Sequence, residues 1–452
     1  MEKSSYISTT NACKLCKPLG ACLAFRGIEG SMPLLHGSQG CATYMRRYII
    51  SHFREPMDIA SSSLGEKHAV YGGGPNLKQG LKNIINKFGA KFIGIATTCL
   101  TETIGDNVPM IVNEFRRETR SEAMELPYMV TVSTPSYSGT HIEGFHAATK
   151  AIVDQIPVAG ERMDLINVLP GFVSPADIRH LKEILDDFSL PAAVLPDYSE
   201  TLDGPAQEDD AKIPDGGTAI EDIRNMGKAR ATIEFGRTLP PEGSAGGLLS
   251  ERFAVPLHRL GIPIGIRETD GFFQALEQFA GASAPEKHRT ERGRLVDAYV
   301  DSHKYLFGKR AIVYGEEDLV VGITSFLTEV GIKPVLCASG GKSGRFAQAI
   351  EQVVSEISPE LPVTMEGVDF YEIEEAMQKL SPDLMIGTSK GYQIAKRMGI
   401  PLLRAGFPIH DRFGGQRMLH VGYRGTQNLL DRIVNTVIEK NQTDSPVGYG
   451  YM

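Results

Sequence analysis

Short apolar runs alternate along the chain with longer stretches that carry apolar residues at helical spacing. Runs of the first kind include Phe92–Ala96, Met129–Val132, Leu165–Leu169, Ala192–Leu195 and Thr232–Phe235. Ile262–Ile266, Ala311–Tyr314, Pro334–Cys337, Leu384–Ile386 and Leu402–Arg404 continue the series. Each reads as a buried strand. Between them, Leu77, Leu81, Ile84, Ile85 and Phe88 fall on one helical face before Gly89 stops the pattern. Phe346, Ile350, Val353, Val354 and Ile357 do the same after Ser343, and Leu429 to Ile438 make a closing helix. Alternating strands and helices require parallel sheets covered on both faces, joined by right-handed crossovers. The expected fold class is therefore α/β, with three Rossmann-like, doubly wound domains.

At 452 residues the chain is long enough for about three domains of roughly 150 residues each. Breaks near Ile156–Arg162 and Gly281–Glu291 divide it into 1–160, 161–290 and 291–452. The acidic run Asp203–Gly217 reads as a surface loop of the middle domain, and the tail after Asn441 as irregular. A formal net charge of −8 gives no support to a nucleic-acid partner. No apolar run reaches the roughly 18–20 residues of a membrane span. The opening MEKSSYISTTNACK has no apolar export signal, so the expected address is the cytoplasm, where thiols stay reduced.

Several motifs carry less than they promise. Ser339-Gly340-Gly341-Lys342-Ser343 follows a strand, but Leu336 stands where a phosphate-binding loop needs its first glycine. Gly72–Asn76 reads as a helix-entry turn. His410-Asp411-Arg412 has no nucleophile motif beside it and reads as a hydrogen-bond cluster. His141 and His146 lack the upstream cysteine pair of a zinc finger. His36 reads as a satisfied structural histidine. No residue is assigned to bond-making catalysis.

The cysteines stand apart. Cys16, Cys41 and Cys99 occur in LCKPLGA, HGSQGC and TTCLTE, all within the first hundred residues. Cys99 follows a strand at the carboxyl edge, where open α/β sheets place their ligands. Cys41 opens a helix expected to run through Phe53, and a helix N-terminus favours the thiolate that iron needs. Cys16 precedes Pro18 at a third helix entry. Ser136, just past the next strand, can approach the same edge as Cys99. Cys13 and Cys16 form a C-x₂-C pair with no second pair to complete a zinc site, while Cys22 and Cys337 read as core filler. Spacing alone leaves an iron–sulfur site and unrelated buried thiols both open.

The surrounding sequence resembles the β-type subunits of the nitrogenase component 1 family. The resemblance is carried by CKPLGACLAFRGIEGSMPLLHGSQGCATYMRRYIISHFREP, ATTCLTETIGDNVP, STPSYSGTHIEGF, RAGFPIHDRFGG and GYRGTQNLLDRIVN, and extends from about Ala12 to Asn435. It implies that Cys16, Cys41 and Cys99 are metal ligands on the β side of an interfacial iron–sulfur cluster, with Ser136 as a fourth cofactor-binding position. The cluster, a 4Fe–4S or a P-cluster-like 8Fe–7S centre, would be shared with an α-type partner in an α₂β₂ heterotetramer. That partner would also house a larger cofactor or its precursor, and a nucleotide-dependent, NifH-like iron protein would deliver electrons.

Within the family the compact length and FPIHDRFGGQRMLHVGYRG resemble the NifN-type scaffold subunits. With a NifE-like partner these support maturation of the iron–molybdenum cofactor. Retention of all three cysteines together with Ser136 points instead to the β subunit of a catalytic nitrogenase or a nitrogenase-like reductase, such as a methylthio-alkane reductase. The scaffold role is the first expectation and the catalytic role the second.

Overall fold

The computed structural model describes residues 13–120, 126–206 and 212–447. Within them thirteen strands form three sheets, and every strand pairing is parallel. The first sheet has the order β2-β1-β3-β4, from Ser31–His36 (β1), Ala60–Ser61 (β2), Phe92–Thr97 (β3) and Tyr128–Val132 (β4). The second runs β6-β5-β7-β8, from Met163–Leu169 (β5), Ala192–Val194 (β6), Ala229–Phe235 (β7) and Leu257–Leu260 (β8). The third runs β11-β10-β9-β12-β13, from Arg310–Gly315 (β9), Lys333–Ser339 (β10), Val363–Met365 (β11), Leu384–Gly387 (β12) and Leu402–Arg404 (β13).

The apolar runs found most of these strands because both faces of a parallel sheet are covered. β1 escaped, although all six of its residues are buried, because Pro33 argues against a central strand. The structure tolerates Pro33 because β2 is two residues long and pairs only with Leu34 and Leu35.

One expected strand is absent. Ile262–Gly265 is a buried connection, Ile266 already opens the helix Ile266–Ala280, and the edge strand β8 lies just before them. Two backbone groups of the connection pair with the closing helix (Gly422–Asp444) rather than with a sheet. The Gly422 amide donates to the Pro263 carbonyl at 2.8 Å, and the Gly265 amide to Thr426 Oγ1 at 2.9 Å. Buried apolar residues with such partners look like a strand to a periodicity argument. Asp177 adds a second tie, accepting from the amides of His420 and Val421 and from the His420 ring at 3.0 Å. The Asp203–Gly217 loop lies partly outside the described residues, and the closing helix runs three residues beyond Asn441.

The first helix (Lys17–Arg26) is buried at every position from Pro18 to Arg26, as expected of a helix sunk into a core. It lies against the helix His141–Gln155 with backbones in contact. A Cβ added to Gly20 would come within 1.6 Å of the His141 carbonyl oxygen, and one on Gly144 within 1.8 Å of the Lys17 oxygen. This crossing fixes where Cys16 stands. No helix among the described residues is long and apolar enough to cross a membrane.

Candidate functional site

Cys16, Cys41 and Cys99 each sit at the start of a helix. Cys16 is the N-cap of Lys17–Arg26, Cys41 lies in the first turn of Gln39–Phe53, and Cys99 opens Cys99–Ile104. Such positions present free backbone N–H groups and suit an anionic neighbour. All three are partly exposed, whereas Cys22 and Cys337 are buried. Burial pushes the Cys22 thiol upward and the Cys337 thiol to about 12, so these two behave as core residues.

The segment Ser133–His141 gathers two of the cysteines. The Ser136 amide donates to Cys99 Sγ at 3.2 Å. Two bonds between Thr134 and Thr97 and one from Ser133 to Glu102 clamp this segment to the end of β3. On its other side Thr140 forms a β-bridge with Cys16, the His141 amide donates to Leu15, and Lys17 Nζ reaches Ser138 Oγ at 3.0 Å.

Cys41 is tied to the same edge through His36. The His36 carbonyl accepts from the Thr98 amide, Thr98 Oγ1 and Thr101 Oγ1 at 3.2, 3.1 and 3.0 Å. Its ring bridges Ser62 Oγ at 2.9 Å and Asp106 at 3.0 Å. Burial pushes the imidazole below its usual range, against the pull of Asp106. Neutral His36 thus donates through Nε2 to Asp106 and accepts from Ser62 at Nδ1. The Gly37 amide donates to Ser62, and a Cβ on Gly37 would strike Thr98 Oγ1 at 2.3 Å, so the loop entering Cys41 rests on the residue preceding Cys99. Ser38 Oγ lies 3.6 Å from Cys41 Sγ.

The four positions named from the sequence therefore lie along one continuous set of contacts. Among the described residues no three His, Cys, Asp or Glu side chains close on a single metal ion. The three thiols stand at separate helix starts and each is partly exposed. Sequence reasoning passed over Thr140, Thr98 and Thr101. The Thr98-x-x-Thr101 spacing was the available signal, since these residues form a capping box around Cys99.

The other motifs resolve plainly. In the run Ser339–Ser343 the Ser343 amide donates to Glu317 at 3.2 Å, and the Gly344 amide beyond it donates to Glu366 at 2.9 Å, so carboxylates of the chain occupy those donors. Gly340 is a glycine because a Cβ there would meet the Cys13 carbonyl oxygen at 2.2 Å. Asp411 pairs with Arg404 at 2.7 Å and accepts from Ser389, while His410 and Arg412 are exposed. His141 is buried with both ring nitrogens unpartnered, and burial lowers it to about 4.

A cavity of about 650 Å³ opens between the three sheets, with His146, Glu143, Glu316 and Glu317 in its wall. Burial raises the Glu317 carboxyl to about 7. Between pH 4.5 and 7 the folded chain thus holds a proton that the unfolded chain has released. Stability from this group is present below pH 4.5 and is lost as pH rises through 7, by up to about 3 kcal/mol. Glu317→Gln should leave the melting temperature unchanged near pH 4.5 and raise it relative to the parent at pH 8. A difference independent of pH would contradict this assignment.

Three parallel sheets covered by helices, with Cys16, Cys41 and Cys99 at helix starts beside the first, define a multi-sheet α/β protein. The chain belongs to the nitrogenase component 1 type oxidoreductase family, whose model matches residues 16–438, and it is of the β-chain type. It is 38% identical over 448 residues to the nitrogenase molybdenum–iron protein beta chain of Methanothermobacter thermautotrophicus, covering 97% of this chain and 96% of that one. To the same protein of Clostridium pasteurianum it is 35% identical, covering 95% and 93%. To the vanadium–iron protein beta chain of Trichormus variabilis it is 34% identical, covering 97% and 96%. The solved structure of nitrogenase Cp1 at pH 6.5 superposes with a TM-score of 0.95 at 33% identity, over 100% of this chain and 98% of that chain.

Proposed function

We propose that this chain is the β-type subunit of a nitrogenase-like reductase complex and holds one side of an interfacial iron–sulfur cluster through Cys16, Cys41 and Cys99. The carrying observation is the contact of the Ser136 amide with Cys99 Sγ, in a segment that also bridges Cys16 through Thr140. Bound there, the cluster would supply one-electron storage. The protein's own part is to fix three sulfurs at helix starts, to donate an amide to one of them, and to leave their outer side open for an α-type partner. A nucleotide-dependent iron protein would be the electron source. Hydrogen bonds to the sulfurs and their exposure set the potential of such a site.

The catalytic role is preferred to the NifN-type scaffold role. Compact length, which favoured the scaffold, does not discriminate: the chain covers 96% and 93% of two molybdenum–iron beta chains. The complete cysteine set with Ser136 also favours an electron relay. The test is anaerobic purification with the α-type partner, followed by iron counting and a reductase assay with the iron protein. The Cys41→Ala complex should lose most of its iron, and unchanged iron content would overturn the cluster reading. Turnover of dinitrogen, acetylene or a thioether supports the reductase. Cofactor transfer to an apo-nitrogenase without turnover would restore the scaffold role and its NifE-like partner.

A further inference from the structure

Lys390 belongs to the C-terminal sheet, in the single turn Ser389–Gly391 that follows β12. Its side chain reaches back to the first sheet's cysteine region. Nζ donates to the Lys14 carbonyl at 3.3 Å and stands 5.9 Å from the centre of the Tyr48 ring. Both contacts border the cysteines. Lys14 is two residues before Cys16, and Tyr48 lies two turns along the helix that carries Cys41, its ring tilted against Tyr44 with ring centres 4.8 Å apart. Lys390 therefore touches both the backbone two residues before Cys16 and an aromatic ring of the helix that carries Cys41.

Burial holds the Lys390 ammonium below its usual range, and negative charge on the nearby Cys13 and Cys16 sulfurs acts the other way. In a partly desolvated setting a unit charge acts on its neighbours far more strongly than across water. An iron–sulfur centre becomes more negative on reduction, so a fixed cation nearby stabilises the reduced form and raises the potential. Nothing in the sequence marked Lys390, which lies 374 positions from Cys16.

We propose that Lys390 is a positioning residue for charge, supplied by the C-terminal unit, that raises the reduction potential of the cluster held by Cys16, Cys41 and Cys99. This rests on the cluster reading above. It adds that the third sheet, which contributes none of the three thiols, takes part in setting the electron relay.

The test uses the complete complex with its α-type partner, purified anaerobically as parent, Lys390→Gln and Lys390→Arg. Iron per complex and the cluster midpoint, from a redox titration followed by electron paramagnetic resonance, are the readouts. Lys390→Gln should keep its iron and bind the electron about tenfold less favourably, a fall of about 59 mV for a one-electron couple. Lys390→Arg should return the midpoint most of the way to the parent. Full iron in Lys390→Gln with an unmoved midpoint would overturn the role of Lys390 alone. So would loss of iron from both variants, which would make the residue a tether. A parent complex without iron would instead sink the cluster reading, and this proposal with it.

Discussion

Gly144→Ala should destabilise the protein by about 3 kcal/mol or more and remove most of the iron from the assembled complex. The added Cβ would stand 1.8 Å from the Lys17 carbonyl oxygen, and backbone cannot yield as a flexible side chain can. Overpacking in a close-packed interior costs about 1–3 kcal/mol, and more where the obstacle is main chain. Relief would require the first helix to move off His141–Gln155. Lys17 immediately follows Cys16, and the Cys16–Thr140 bridge joins the same two segments, so that movement shifts the sulfur. Gly20→Ala should behave alike, with its Cβ 1.6 Å from the His141 oxygen. By contrast, Gly293→Ala meets nothing within 4 Å and should leave both properties intact. Denaturant titration and iron counting on the three variants are the check, and a Gly144→Ala complex of parental stability and iron content would refute the argument.

His36→Ala is expected to have the second largest effect. The fully buried ring holds Ser62 and Asp106 together, and its backbone oxygen receives three bonds from the residues capping the Cys99 helix. Removing the ring leaves Asp106, whose side chain is 10% exposed, with the Gly73 amide it already shares but without its imidazole partner. Stranding a buried group in this way costs about 1–3 kcal/mol, more when it is charged. The loop from Gly37 to Cys41 loses its anchor through Ser62, so the expected outcome is a destabilised complex with less than half the parental iron. Asp106→Asn, which keeps an acceptor for Nε2–H, should retain more iron than His36→Ala. Equal iron in all three proteins would show that this network does not position the ligands.

His36 also shows how far the sequence could be read. Its local context marked it as a satisfied structural histidine, and it is one. That it links the cysteine loops depended on Ser62 and Asp106, respectively 26 and 70 positions away. The cysteines were legible for a different reason. A thiol at a helix entry, after a strand or a glycine-rich turn, is a local pattern that survives in one dimension. The buried strands were legible because both faces of a parallel sheet are covered, which writes continuous apolar runs. Where a buried run hydrogen-bonds to a helix instead, as Ile262–Gly265 does, the same signal misleads.

By itself the sequence determined the α/β class, most strands, the helix starts that carry Cys16, Cys41 and Cys99, and the nearness of Ser136 to Cys99. Each depends on periodicity, on a local motif, or, for Ser136 and Cys99, on both standing just past the end of a strand. Only the tertiary structure decided that the Ser133–His141 segment joins Cys99 to Cys16, that His36 ties in the Cys41 loop, and that Lys390 faces this region from the third sheet. Those contacts arise where separate strand ends and a close glycine crossing meet. No residue's local preference records which distant segment will be packed against it.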